Sequence, residues 1–328
     1  MYLFKKKVAL FFSVLLLNSI FAYEINSNTI KIAVLKFGSV NWELDVISHH
    51  KLDKKNNINI KKVVMTNKDA ATIAFLSKTV DIFITDWIWV HKQRYKENLV
   101  TFTPYSNAAG ALMVKEDSNI KSFTDLKSKK VGVAGGSLDK SWLFLRAYGI
   151  KKYGFDPLTF FNTSFAAPPL INGLLRNNEL DAGFNYWNYT ARLNSKGFHN
   201  LITVDTILPY IGITGELPLI GYVFREDFEK KNSVAIENFI KSSKEARNIL
   251  LNSDKEWNRI YRKTGATSSI MLEKIRNYFR QGIPSNDYFT MHQNMKTAFK
   301  ILVNIAGKQL VGDAESLAPG TFWIKKTE

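Results

Sequence analysis

Four points of this sequence gather carboxylate, aromatic and glycine residues, each where an apolar, strand-like run gives way to a helix-like one. The first is Lys36-Phe37-Gly38-Ser39-Val40-Asn41-Trp42-Glu43. Gly38 permits a tight turn there, and Ser39 or Asn41 can cap the following helix while nearby backbone N–H groups face a ligand. The second is Thr85-Asp86-Trp87, with Trp89 two residues on. It offers a carboxylate that can accept N–H groups and indole faces suited to stacking. The third is Gly135-Gly136-Ser137-Leu138-Asp139-Lys140-Ser141, where paired glycines bring backbone close to a ligand at a helix start. The fourth is Asn185-Tyr186-Trp187. The candidate binding residues are therefore Lys36, Gly38, Asn41, Trp42, Thr85, Asp86, Trp87, Gly136, Ser137, Asp139, Asn185 and Trp187. Each junction also has a purely architectural reading, with the polar residue a helix cap and the tryptophan in the core.

These residue types point to binding rather than catalysis. The glycines are not spaced as Gly-x-Gly-x-x-Gly, and no Gly-Lys-Ser/Thr follows them, so neither the dinucleotide fingerprint nor a P-loop is present. There is no Gly-x-Ser-x-Gly elbow. His49, His50, His91, His199 and His292 lack metal-ligand spacing. The chain contains no cysteine, which removes thiol nucleophiles, Cys-type zinc sites and disulfides. Asp86 and Asp139 could serve as acid and base, but hydrogen bonding to a ligand explains them more simply. No cofactor, no metal and no enzymatic activity is expected.

The elements around these junctions alternate, which argues for an α/β architecture with mostly parallel sheets. Strands are expected at Ile30–Leu35, Asn59–Met65, Asp81–Ile84, Leu99–Thr103 and Ala111–Lys115, separated by helices such as Trp42–Lys51 and Asp69–Ser77. A second set follows. It has strands at Lys130–Val133, Leu158–Phe161, Leu180–Phe184 and Leu201–Val204, with helices at Lys140–Tyr148, Pro169–Arg176 and Asn188–Asn194. Amphipathic helices then dominate from Val234 onward. The two sets look like weak copies: Val80-Asp81 … Asp86-Trp87 and Leu180-Asp181 … Tyr186-Trp187 keep an offset of 100 positions, as do Trp42 and Trp142. Extended crossings between the sets are expected near Ser106–Gly110 and Val204–Pro209.

The N-terminus reads as an export signal. Lys5-Lys6-Lys7 precede an apolar run from Val8 to Leu17, and Ala22 offers the cleavage site, so residues 1–22 are expected to be removed. That run is too short and too interrupted for a spanning helix. With no cysteine there can be no lipid anchor on one, and a periplasmic location follows. The formal charge of +16 on 328 residues could suggest nucleic acid, but the lysines are dispersed and no binding module for it is recognisable. No nucleic-acid partner is expected.

In order and spacing, the Gly38-Ser39-Val40-Asn41-Trp42-Glu43 junction, Val80-Asp81 … Asp86-Trp87, Val131-Gly132-Val133-Ala134-Gly135-Gly136-Ser137 and Leu180-Asp181-Ala182 … Trp187 resemble the nitrate/sulfonate/taurine-type solute-binding proteins. Gly221-Tyr222-Val223-Phe224 and Pro319-Gly320-Thr321-Phe322-Trp323 extend the resemblance over nearly all of residues 30–325. It implies the type II periplasmic-binding fold. One lobe would comprise residues 23–109 and 205–328 and an inserted lobe 110–204, closing like a hinge over a small solute. It also implies a monomer partnered by an ABC permease and ATPase. Thiamine-pyrimidine-binding and pyrimidine-synthesising proteins are relatives. The latter carry a cysteine-rich motif that this chain lacks.

The resemblance leaves the solute open. Glu43, Asp86 and Asp139 would all sit at the cleft, with Lys36 and Lys140 nearby to offset them. Burying a bare anion beside three carboxylates is costly. A small organic solute with a planar or amine-bearing part is therefore expected. An exported enzyme using the carboxylates, and a sensor reporting a ligand to a membrane receptor, are the alternatives.

Overall fold

The computed structural model describes residues 28–36, 38–285 and 287–324. The export signal read at Lys5–Ala22, and Phe37 of the first junction, lie outside the described residues. Among those described, no helix is long and apolar enough to cross a membrane.

Among the described residues, ten strands form two five-stranded sheets. They are β1 (Thr29–Leu35), β2 (Asn59–Met65), β3 (Ile82–Thr85), β4 (Val100–Ser106), β5 (Ala111–Lys115), β6 (Lys130–Ala134), β7 (Asn162–Ala166), β8 (Ala182–Asn185), β9 (Phe198–Thr203) and β10 (Ile220–Arg225). The sheet orders are β2-β1-β3-β10-β4 and β7-β6-β8-β5-β9. The early helices are α1 (Val40–His49), α2 (Leu52–Lys55), α3 (Lys68–Leu76) and α4 (Trp87–Arg94). Those of the second set are α5 (Lys140–Tyr153), α6 (Pro157–Phe160), α7 (Pro168–Arg176), α8 (Trp187–Asn194) and α9 (Val204–Tyr210). The later ones are α10 (Glu226–Lys231), α11 (Ser233–Asn252), α12 (Asp254–Arg259), α13 (Tyr261–Thr264), α14 (Ser269–Gln281), α15 (Tyr288–Ala306) and α16 (Lys308–Val311).

The second sheet is mixed. β6 runs parallel to β7 and β8, whereas β5 is antiparallel to both β8 and β9.

The described residues divide into two compact units, one of residues 28–83 with Phe224–Ile249, the other of Ile84–Val223 with residues 250–324. In the first unit, β1 is buried along most of its length, as a strand covered on both faces must be. Its neighbour β2 exposes Lys61 and Lys62, charges that blunt an edge. Arg225 braces this unit by donating to the carbonyls of Phe75 and Val80, with Asp81 3.6 Å away.

In the second unit, C-terminal helices fasten to the second sheet through polar contacts. Arg192 on α8 donates to the carbonyls of Thr264 (2.8 Å) and Gly265 (2.9 Å). The Tyr278 hydroxyl on α14 accepts from Asn200 and donates to Asn194. Sheet membership and contact density divide the chain differently, since β5–β9 all fall between Ala111 and Thr203.

The expected repeat has a structural counterpart. β3 and β8, and α4 and α8, begin and end 100 positions apart. Asp81 accepts from the backbone N–H of Lys31 on β1, and Asp181 from that of Lys130 on β6, each at 2.8 Å.

Two local expectations are corrected. Leu158–Phe161, read as a strand, falls largely in α6, and the strand starts only at Asn162. Asp156 accepts from the N–H of Leu158, and Pro157 occupies the first helical position, so together they start a helical turn. Val204–Pro209, read as an extended crossing, is helix α9. The Thr203 hydroxyl caps it by accepting from Thr206 at 3.1 Å, and Pro209 comes only in its last turn. Asn107–Gly110, by contrast, carries no regular structure.

Candidate functional site

In the second unit, the starts of α4 and α5 bring three charges together. Asp86 is the N-cap of α4: one carboxylate oxygen accepts from the N–H of Trp89 at 2.9 Å. Its other oxygen lies 3.1 Å from the Lys140 ammonium. Asp139 caps α5, accepting from the N–H groups of Ser141 (3.0 Å) and Trp142 (3.2 Å). Both aspartates are thus fixed by the local logic of helix starts, where a carboxylate satisfies donors that have no partner within the helix. Tyr186, at the start of α8, donates its hydroxyl to Asp139.

Burial raises the Asp139 carboxyl above the usual carboxylate range, although Lys140, the capping N–H groups and the Tyr186 hydroxyl pull it down. Burial alone would lower the Lys140 ammonium, but Asp86 and Asp139 outweigh it and hold lysine above its ordinary value. The Tyr186 hydroxyl is raised by burial, with Asp139 and Asp86 adding to the effect. Two carboxyl groups face one ammonium, so with both ionised the cluster carries one net negative charge.

Gly135 makes room for it. Its φ of +93° is one that L side chains rarely adopt, and a Cβ there would collide with the Tyr186 hydroxyl. Gly136 has an ordinary backbone and open space beside it. Ser137 is exposed.

The other candidates in this unit face protein. Thr85 and Trp87 are buried, and the Trp87 indole donates to the Pro218 carbonyl at 2.9 Å. The Thr85 hydroxyl is buried without a hydrogen-bond partner. Asn185 donates to the Pro168 carbonyl and to Asn172, while its own oxygen accepts from the N–H of Tyr186. Its position orients Tyr186. Trp187 is buried, its ring centroid 6.3 Å from that of Phe279.

The first junction lies in the other unit. Lys36 and Gly38 are exposed and Trp42 is buried. Ser39 occupies the N-cap position of α1 without a capping hydrogen bond from its side chain, and Asn41 lies within the helix. Asn41 donates its amide to the carbonyls of Leu35 (2.8 Å) and Gly38 (3.2 Å), fastening the loop to the end of β1. Glu43, expected at the cleft, is wholly buried and paired with Arg247 at 3.6 Å. It falls on the inward face of α1 beside buried Leu44, Val46 and Ile47.

A family model described as NMT1/THI5 like matches residues 54–256. The chain belongs to the NMT1/THI5-like family. No curated protein matches it. Among solved structures, it is similar to the periplasmic aliphatic sulphonate binding protein SsuA from Escherichia coli. That match has a TM-score of 0.70 at 17% identity, over 90% of this chain and 97% of that one. The alkanesulfonate-binding SsuA from Xanthomonas axonopodis pv. citri, bound to MOPS, matches with a TM-score of 0.64 at 14% identity, over 90% and 98%. The periplasmic nitrate-binding protein NrtA from Synechocystis PCC 6803 matches with a TM-score of 0.55 at 11% identity, over 76% and 69%. The fold is therefore that of periplasmic binding proteins, as the sequence resemblance implies.

Within this member of the NMT1/THI5-like family, the candidate set read from sequence omits three residues that the geometry supplies: Gly135, Lys140 and Tyr186. The 100-position offset carried the signal for one of them. Tyr186 occupies the place in the second copy that Asp86 occupies in the first, and both reach the start of α5.

Proposed function

We propose that this chain is the solute-binding component of an ABC-type importer, exported to the periplasm and working as a monomer with a membrane permease and an ATPase. It captures a small organic solute bearing an amine or a planar N–H group and hands it over unchanged. Family membership and fold support the transport role. The observation that carries the ligand chemistry is the pair Asp86 and Asp139 around a single ammonium. Their excess negative charge favours a cationic or N–H-rich solute over nitrate or a bare sulfonate. Here the reading departs from what the names of the sulfonate- and nitrate-binding structures would suggest.

A saturating solute stabilises the folded chain by mass action, about 2.7 kcal/mol at a hundredfold excess over the dissociation constant. Asp86→Asn tests the assignment. Asparagine caps helices about as well as aspartate, so α4 should persist, while the Lys140 ammonium loses one of its two carboxylates and the unfolding midpoint should fall somewhat. Removing the charge should weaken solute binding tenfold or more, about 1.4 kcal/mol. Titration calorimetry of native and variant proteins with the same amine-bearing solute reads this directly. Equal affinities would remove Asp86 from the site.

A further inference from the structure

Lys140 is an odd residue for its place. It is the first residue of α5, a 14-residue helix, where the positive end of the helix dipole disfavours a cation. Its side chain is only 19% exposed and that of Asp86 10%, so the ammonium has given up much of its hydration. What holds it is the pair of carboxylates, with Asp86 at 3.1 Å and Asp139, the neighbouring residue, adding its charge. The aspartates, by contrast, are held independently by backbone N–H groups of Trp89, Ser141 and Trp142. They would keep their positions if the lysine left. A lysine stem is flexible, and its ammonium is readily rehydrated once outside.

We propose that Lys140 is a tethered counter-ion holding the cation position beside Asp86 and Asp139, and that the solute's amine competes with it for the two carboxylates. This rests on the amine-bearing reading above and adds to it a residue that sets affinity and specificity. The lysine neutralises one carboxylate whenever no solute is bound and sets a threshold that weak cations such as sodium do not pass. An entering amine releases the ammonium to water, so the affinity is lower than the bare carboxylates would give. An anionic solute would instead use Lys140 as its partner and lose affinity when it is removed.

The lysine side chain ends in a butylammonium group, so n-butylammonium is the probe. Titration calorimetry at matched ionic strength compares native protein, Lys140→Ala, and Lys140→Ala with Asp86→Asn. Lys140→Ala should bind n-butylammonium at least tenfold more tightly than native protein, and the added Asp86→Asn should reverse that gain. Should Lys140→Ala not fold, Lys140→Met keeps an unbranched stem and is read with methylammonium in the same way. Native protein binding amines as tightly as the variant would overturn the role of Lys140 while leaving the amine reading standing. Benzenesulfonate bound by native protein and lost in Lys140→Ala, with no amine bound by either, would overturn both. Absence of n-butylammonium binding to a folded Lys140→Ala also overturns the proposal.

Discussion

Trp87→Ala should cost about 3–5 kcal/mol of stability, the range for emptying a buried aromatic position. The indole is completely buried, and its N–H meets the Pro218 carbonyl at 2.9 Å. Its ring centroid lies 6.5 Å from that of Phe322, so its loss leaves a cavity beside the C-terminal segment as well as an unpaired carbonyl. Against a total stability of about 5–15 kcal/mol for an ordinary protein, this is a large fraction. Urea unfolding should show a clearly lowered midpoint with an unchanged slope. An unchanged midpoint would mean the indole is not part of the core. Any lost binding in that variant would have to be separated from lost folding.

Much of the architecture could be read from residue order. The alternation of apolar runs marks the strands, and Asp86 and Asp139 announce themselves as caps because each stands just before a helical pattern. The repeat offset is visible in Asp81 and Asp181, which make matching bonds to Lys31 and Lys130. What stayed hidden is side-chain direction. A tryptophan just past a strand can cover a ligand or turn inward, and the local sequence is the same in both cases. Trp42, Trp87 and Trp187 all turn inward. Asn185 has the chemistry of a ligand contact, but Asn172, 13 residues earlier, claims its amide. The Lys140–Asp86 pair joins residues 54 positions apart, and no local pattern encodes it. Pro157 opens a helix and Pro209 sits in one.

Glu43→Ala should be comparably damaging. Glu43 is fully buried and Arg247 nearly so. Removing the carboxylate leaves the guanidinium buried beside an empty space, and breaking a buried pair from one side typically costs about 3–5 kcal/mol. Replacing both partners with apolar residues of similar volume, Glu43→Leu with Arg247→Met, should recover most of that loss, because the desolvation cost disappears with the charges. Urea midpoints of the single and double variants decide it. Equal losses in both would show that the shape of the pair, rather than its charge, stabilises α1. Neither substitution touches Asp86, Asp139 or Lys140, so solute affinity in the folded double variant should remain native.

The most direct test of the whole account is a thermal-shift screen of the native chain against a library holding amines, planar N–H heterocycles, sulfonates and inorganic anions, with the bound compound recovered and weighed by mass spectrometry. The largest shifts should come from an amine-bearing or planar N–H solute, recovered chemically unchanged. The largest shifts coming from nitrate, sulfate or a simple sulfonate, or a recovered compound altered in mass, would contradict it.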